Sequence, residues 1–344
     1  MSHIFRIIIL VTSCFILSWI SHAQPAHFGE VFPKIKTAKR ITKNGANRQP
    51  IFISNSAFVF VSKSRKNHKD PQLYFHDLLE GKEKRITHQR GDLTNGFYFD
   101  KKGEIIYSSS TDEEKETPYV LKKHLDRFPA SVKNDSFFHV DFRPQEIYKS
   151  QIDGSDVQRL TEFSGYDGFP IYLQSKDRLY FSRWNKGQLS LYAKSMSKNL
   201  APWKVAKTAG HDLGLQISPT ENQFIWYRFS PDFKSSQVLL SDLNFKSPLY
   251  LTLESGVNWS PTWHPNGKTV IYSARTNNQR DFDLYEVSVN GECRRQLTSF
   301  SGDEFYPTVS PDGRTILFTS TQAGREQIYK MGYPEPLECG SKTE

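Results

Sequence analysis

Six polar side chains occupy one position of a repeated pattern. Asn47, Thr94, Asp167, Asp212, Asn258 and Glu304 each stand three residues before the first Pro of a repeat, or before its equivalent. Three are carboxylates, and the others carry amide or hydroxyl oxygens. Arranged about an axis, such oxygens would converge, and a hard cation such as Ca²⁺ takes about six to eight of them. Asp167, Asp212 and Glu304 are the expected metal ligands, and Ca²⁺ is the one cofactor the pattern suggests. The same residue types have a second use, because Asx beside Gly caps tight turns. Gly165-Tyr166-Asp167 and Gly210-His211-Asp212 suit that use equally.

Nucleophilic chemistry has little to build on. The chain contains no G-x-S-x-G elbow and no H-E-x-x-H pair, and its histidines are scattered. A hydrolase or lyase would have to assemble its site from distant loops, with Asp167, Asp212, His211 and Arg183 as candidates. Tyr166, Trp184 and Trp203 lie in or beside predicted loops, where their rings could stack on sugars or pack between structural units.

The elements that position these residues repeat along the chain. "SPTWHPNGKTVIYSAR…DFDLYEVSVNGECRRQLT" begins at Ser260 and "YPTVSPDGRTILFTS…QIYKM" at Tyr306, with Pro261 and Pro307 separated by 46 residues. Related copies begin at Gly165 and Gly210, and weaker ones at Gln49 and Asn95. The third-strand anchors Tyr74, Tyr148, Tyr192, Leu239, Tyr285 and Tyr329 are spaced by 74, 44, 47, 46 and 44 residues. Each unit has period-2 alternation, a Pro-Asx-Gly hairpin turn and a closing "RIT", "RLT" or "QLT". The expected fold is all-β, a six-bladed β-propeller of four-stranded blades spanning 34–331. The sixth copy stops after its third strand, whereas an orphan "KRIT" ends at Thr42. Residues 34–42 are therefore expected to complete the last blade and close the ring.

The long first interval marks an insertion at 112–142, inside the second blade. It is expected to be a partner-facing flap or a packed decoration, with His124, Arg127, Phe128 and His139 as its candidate contact residues.

At the N-terminus, Arg6, an apolar run from Ile7 to Ile20 and Ser21-His22-Ala23 have the pattern of a signal peptide, 1–23. A short lead, 24–33, and a tail, 332–344, flank the propeller. After signal cleavage no transmembrane segment is expected, and the protein would be periplasmic or secreted. The net charge is +8, with Lys and Arg dispersed, and no nucleic-acid-binding module is visible. Cys293 and Cys339 remain after cleavage, either as a disulfide or as two separate thiols.

The repeats at Ser260 and Tyr306, with "YSSSTDEEKE" and "RLTEFSGYDGFP", resemble the WD-like repeats of TolB-like propellers over about residues 34–331. The resemblance implies the propeller domain only, because the α/β domain that precedes it in TolB has no counterpart between Gln24 and Pro33. It also implies acidic groups at the channel mouth, where an ion or partner binds. The function expected is that of an exported, non-catalytic scaffold, a monomer binding a protein or peptide of the bacterial cell envelope. The alternative is a carbohydrate-active or hydrolytic enzyme with its site at the channel mouth.

Overall fold

Runs that alternate branched and aromatic residues form strands, because flat and branched side chains suit a pleated surface. The computed structural model describes residues 37–99, 103–112, 144–335 apart from 207, 254, 277 and 278, and residue 337. The expected signal peptide and lead, the insertion beyond Asp112 with His124, Arg127, Phe128 and His139, and most of the tail lie outside them.

After β1 (Lys39–Arg40), the strands β2 (Ala46–Ser54), β3 (Ala57–Lys63), β4 (Gln72–Asp77) and β5 (Glu83–Arg85) form one antiparallel sheet. A second contains β6 (Leu93–Phe99), β7 (Glu104–Ser109), β8 (Glu146–Gln151) and β9 (Gln158–Arg159). A third contains β10 (Asp167–Leu173), β11 (Arg178–Asn185), β12 (Gln188–Ser195) and β13 (Trp203–Lys204). An eight-stranded sheet follows. Its first half is β14 (His211–Ile217), β15 (Gln223–Phe229), β16 (Ser236–Asp242) and β17 (Leu249–Tyr250). Its second half is β18 (Gly256–Trp263), β19 (Thr269–Thr276), β20 (Asp283–Ser288) and β21 (Arg294–Gln296). The halves meet through one parallel pair, Ser236 with Val257. In the last sheet, β22 (Glu304–Val309), β23 (Thr315–Ser320) and β24 (Gln327–Gly332) are joined by β1, with Lys39 opposite Lys330 and Arg40 opposite Tyr329. The N-terminal "KRIT" thus supplies the outer strand that the last copy lacks.

The result is an all-β, propeller-like arrangement. The second strands have neighbouring sheets on both faces, so β3 and β19 are buried over six consecutive residues each. Apolar clusters fill the seams between neighbours. Val59, Val61 and Leu73 pack with Ile105 and Tyr107; Tyr180 and Leu191 pack with Phe224 and Trp226. Phe58 and Phe60 pack with Leu317 and Ile328, joining the first full sheet to the last. Tyr166 and Trp184, expected beside loops, are instead buried in a central aromatic cluster with Tyr227, Trp259 and Tyr306. Trp203 alone of those three aromatics is exposed. Cys293 is disulfide-bonded. Among the described residues, no helix is long and apolar enough to cross a membrane.

Candidate ligand site: the axial cavity

Each first strand of a four-strand run contains the same irregularity. The pairing register shifts between Arg48 and Ile51, Leu93 and Phe97, Gly168 and Ile171, Leu213 and Gln216, Trp259 and Thr262, and Phe305 and Thr308. A Pro, which cannot donate to a ladder, sits in four of these shifts, where a bulge tolerates it. The residue at the bulge takes a left-handed backbone: φ is 55° at Gln49, 53° at Phe169, 64° at Gly214, 51° at Ser260 and 54° at Tyr306. For a non-glycine residue this conformation costs about 1–2 kcal/mol. Four such residues at equivalent points concentrate strain in one place, a hallmark of a functional site.

They surround a cavity of about 120 Å³ where the first strands meet. Gln49, Phe169, Gly214, Ser260 and Tyr306 all line it, with Pro50, Pro261 and Pro307 beside them. Gly214 is required by its neighbour: a Cβ there would lie 2.2 Å from the Tyr227 ring, which occupies that space. The Tyr227 hydroxyl is buried in the lining without a hydrogen-bond partner. Burial, with Tyr306 close by, holds its pKa well above the usual phenol value, so it is a donor without an acceptor. The Gln49 amide lies beside the Tyr306 hydroxyl, but the two do not reach hydrogen-bonding geometry. Burial pushes Tyr306 up to about 12, a rise that the nearby Arg48 guanidinium moderates. The described lining contains amides, hydroxyls, phenols and prolines, with no carboxylate, imidazole or thiol.

Five of the six positions singled out from the sequence lie two residues earlier. Thr94 falls in β6 inside the register shift, and Leu93, opposite Ser109, holds the place equivalent to the other five. Asn47, Asp167, Asp212, Asn258 and Glu304 are buried, and none lines the cavity. They face sideways into the seams or along their own sheets. Asn47 donates to Gln327 Oε1 at 2.9 Å and accepts from Ser62 at 2.7 Å. Asn258 donates to the Ser236 carbonyl at 3.0 Å. Asp167 takes two 2.7 Å bonds from Arg183, and Asp212 is held by Arg228 at 2.7 Å and Trp226 at 3.0 Å. Glu304 accepts from Ser320 at 3.1 Å. Burial, then the neighbouring Asp283, pushes its pKa up to about 9. The expected cation ligands Asp167, Asp212 and Glu304 thus each have a separate protein partner. These carboxylates are neutralised separately by arginines or by a proton, and among the described residues no cluster of three His, Cys, Asp or Glu could hold a metal.

A closing Thr in five of the six repeats explains why those seams are polar. Thr42, Thr87, Thr161, Thr252 and Thr298 each accept the N–H of a third-strand residue at 2.9 Å. Four donate to the side chain just before it, at 2.8 Å to Gln327, 2.8 Å to Gln72, 2.5 Å to Glu146 and 2.5 Å to Gln237. Thr298 reaches Asp283 more weakly, at 3.4 Å. The third sheet has Ala206 and Ser190 in these places and lacks the motif. The His211 ring, offered as a catalytic group, accepts from Leu189 N–H at Nδ1 and stacks on Phe233 at 3.9 Å. Burial lowers its pKa, which suits a neutral, structural imidazole.

Residues 203–336 match the TolB beta propeller domain family. Over that stretch the chain resembles the TolB propeller. TolB from Acinetobacter baumannii superposes with a TM-score of 0.57 at 18% identity, covering 80% of this chain and 63% of that one. The chain thus spans less than two thirds of that protein. A TolB from Agrobacterium tumefaciens gives 0.59 at 12% identity, covering 84% of this chain and 91% of its own. An oligogalacturonate lyase from Vibrio parahaemolyticus gives 0.56 at 14%, covering 86% and 80%. At these identities the likeness is one of fold. No curated protein matches the sequence.

Proposed function

We propose that this protein is an exported six-bladed TolB-like propeller that binds a protein or peptide of the bacterial cell envelope, with the axial cavity as its ligand site. The eight-stranded sheet counts as two blades on this proposal, because a single parallel bridge joins its halves. The observation that carries it is the buried Tyr227 hydroxyl, a donor without an acceptor in a cavity ringed by left-handed residues. An inserted backbone carbonyl or side-chain oxygen would satisfy it. Prolines and aromatic rings around the cavity supply rigid apolar contact at little entropic cost. The TolB structures with this fold support a binding role, and the leader pattern at 1–23 supports export.

A carbohydrate-active alternative draws on the oligogalacturonate lyases of the same fold. The described lining offers no general acid or base that titrates near neutral pH, which supports binding over turnover.

The test is partner capture from envelope extract by wild-type protein and by Thr262→Trp, which fills the cavity from β18. Loss of a discrete partner in a variant that unfolds like wild type supports the proposal. Unchanged capture rejects the cavity as the site.

A further inference from the structure

Outer strands of a sheet are usually blunted by charge, because their unpaired edges invite aggregation. Most here obey this: β1 is Lys-Arg, β5 Glu-Lys-Arg, β9 Gln-Arg and β21 Arg-Arg-Gln. Two adjacent ones do not. β13 is Trp-Lys and β17 is Leu-Tyr, and both are exposed. Around them Leu200 is 55% exposed, Trp203 37%, Leu249 39%, Tyr250 41% and Leu253 52%.

The two strands flank one apolar cluster. Val205, just after β13, and Phe245, just before β17, pack on the same apolar cluster. Phe245 also meets Tyr180 of β11 at 6.2 Å, and the Arg178 guanidinium lies 5.6 Å above the Trp203 ring. Lysines lie within the two segments, and the carboxylates lie at their margins, where Asp177 is held by Ser195 and Ser197 and Glu254 follows Leu253. Residues 196–207 and 243–253 contain no Asp or Glu, while Lys198, Lys204 and Lys246 are exposed among them. Asp242, at the edge of the second segment, is turned onto the amides of Asn244 and Lys246.

We propose that this edge docks the protein on an anionic phospholipid surface. Trp and Tyr rings suit the headgroup level of a bilayer, and leucines suit the acyl boundary beneath it. Lysines lay their stems along apolar surface while their ammonium groups meet lipid phosphates. A bilayer conforms to an outer rim without needing the pocket for buried anchors that a protein partner uses. The net charge of +8 favours the same encounter.

The experiment is co-sedimentation with vesicles of pure phosphatidylcholine or phosphatidylcholine with 30% phosphatidylglycerol, at about 0.15 M salt. The chain from Gln24 is used, since it contains every described contact. Binding is expected only to the anionic vesicles, with a blue shift in tryptophan emission. Trp184, Trp226, Trp259 and Trp263 are buried, so Trp203 reports that shift. Trp203→Ser with Leu249→Ser should weaken binding at least tenfold, and Trp203→Phe should abolish the shift while keeping most of the binding. Both changes are on the surface, and an unchanged unfolding midpoint confirms the fold. Equal binding to both vesicle types, binding unaffected by the serine pair, or a concentration-dependent dimer that the serine pair abolishes in the absence of lipid would each overturn the proposal; the last would assign the edge to a second copy.

Discussion

Asn47 donates its side-chain amide to Gln327 Oε1 at 2.9 Å, across 280 positions of the chain. Gln327 also accepts from Thr42 Oγ1 at 2.8 Å and donates to the Gly45 carbonyl at 2.8 Å. One amide therefore ties the first strands of the chain to the last sheet. Gln327→Leu would leave the Thr42 hydroxyl and the Asn47 amide buried without their partner. Each orphaned group costs about 1–3 kcal/mol. The variant is expected to lose about 2–4 kcal/mol in urea unfolding, with faster hydrogen exchange at Lys39 and Arg40.

Where Asn47 meets an amide, Glu304 meets the carboxylate of Asp283, and the contact needs a proton. The unfolded carboxyl titrates near 4.5 and the folded one near 9. Between those values the folded state binds the extra proton, so stability falls as pH rises from about 4.5 to 9. Glu304→Gln removes that proton requirement. Its stability should exceed wild type at pH 8 by at least about 1.4 kcal/mol, one pK unit's worth, and the difference should shrink towards pH 4. Thermal melts across that range would check it, and parallel curves for the two proteins would count against the protonated seam.

The left-handed ring makes opposite predictions at two equivalent positions. Ser260→Gly relieves a backbone that a side chain disfavours and should be neutral or stabilising by up to about 1 kcal/mol. Gly214→Ala adds a Cβ 2.2 Å from the Tyr227 ring, at a φ of 64°. It should destabilise by about 2 kcal/mol or more. Denaturant midpoints of the pair would decide, and similar effects at both sites would contradict the geometry.

Tyr227→Phe separates stability from binding. Among the described residues no group pairs with the hydroxyl, so its removal should leave stability unchanged or raise it by about 1 kcal/mol. If the cavity holds the ligand, the same change should weaken partner binding about tenfold, the value of one lost hydrogen bond to a buried group. Calorimetric titration of the captured partner into both proteins would measure it.

Much of the fold was legible because the repeat is written in residues whose roles are local. Pro-Asp-Gly at 311–313 forms its turn with a Gly313 N–H to Ser310 carbonyl bond of 2.8 Å. The spacing of Tyr285 and Tyr329 reports a shared register, opposite Tyr272 and Phe318. The orphan "KRIT" was informative because a strand without partners must find an edge. The site was less legible. Charge drew attention to Asp167, Asp212 and Glu304, whereas the cavity is lined two residues further on by Gln49, Phe169, Ser260 and Tyr306. The available signal was a Pro inside a run that otherwise reads as a strand, since Pro there marks a bulge. Side-chain polarity could not reveal that the bulge turns one residue inward and leaves its polar neighbour in the seam. Nor could it show that Asp167 would be claimed by Arg183, 16 residues on, because that pairing is created by the strand register.

The pairing of β1 with β24 also constrains when the protein can become itself. A nascent chain displays Lys39 and Arg40 long before Tyr329 and Lys330 exist to receive them. Until then the ring has two raw edges, and the contact that seals it is among the most non-local in the molecule. Such closure is slow relative to local hairpins, so the early hairpins must wait, exposed, for the last one to arrive. A circular permutant opened at the exposed Glu162, between β9 and β10, and joined end to end would make that final clasp a local event without sending another paired strand to the opposite end of the chain. It should fold faster from denaturant while unfolding at nearly the same rate.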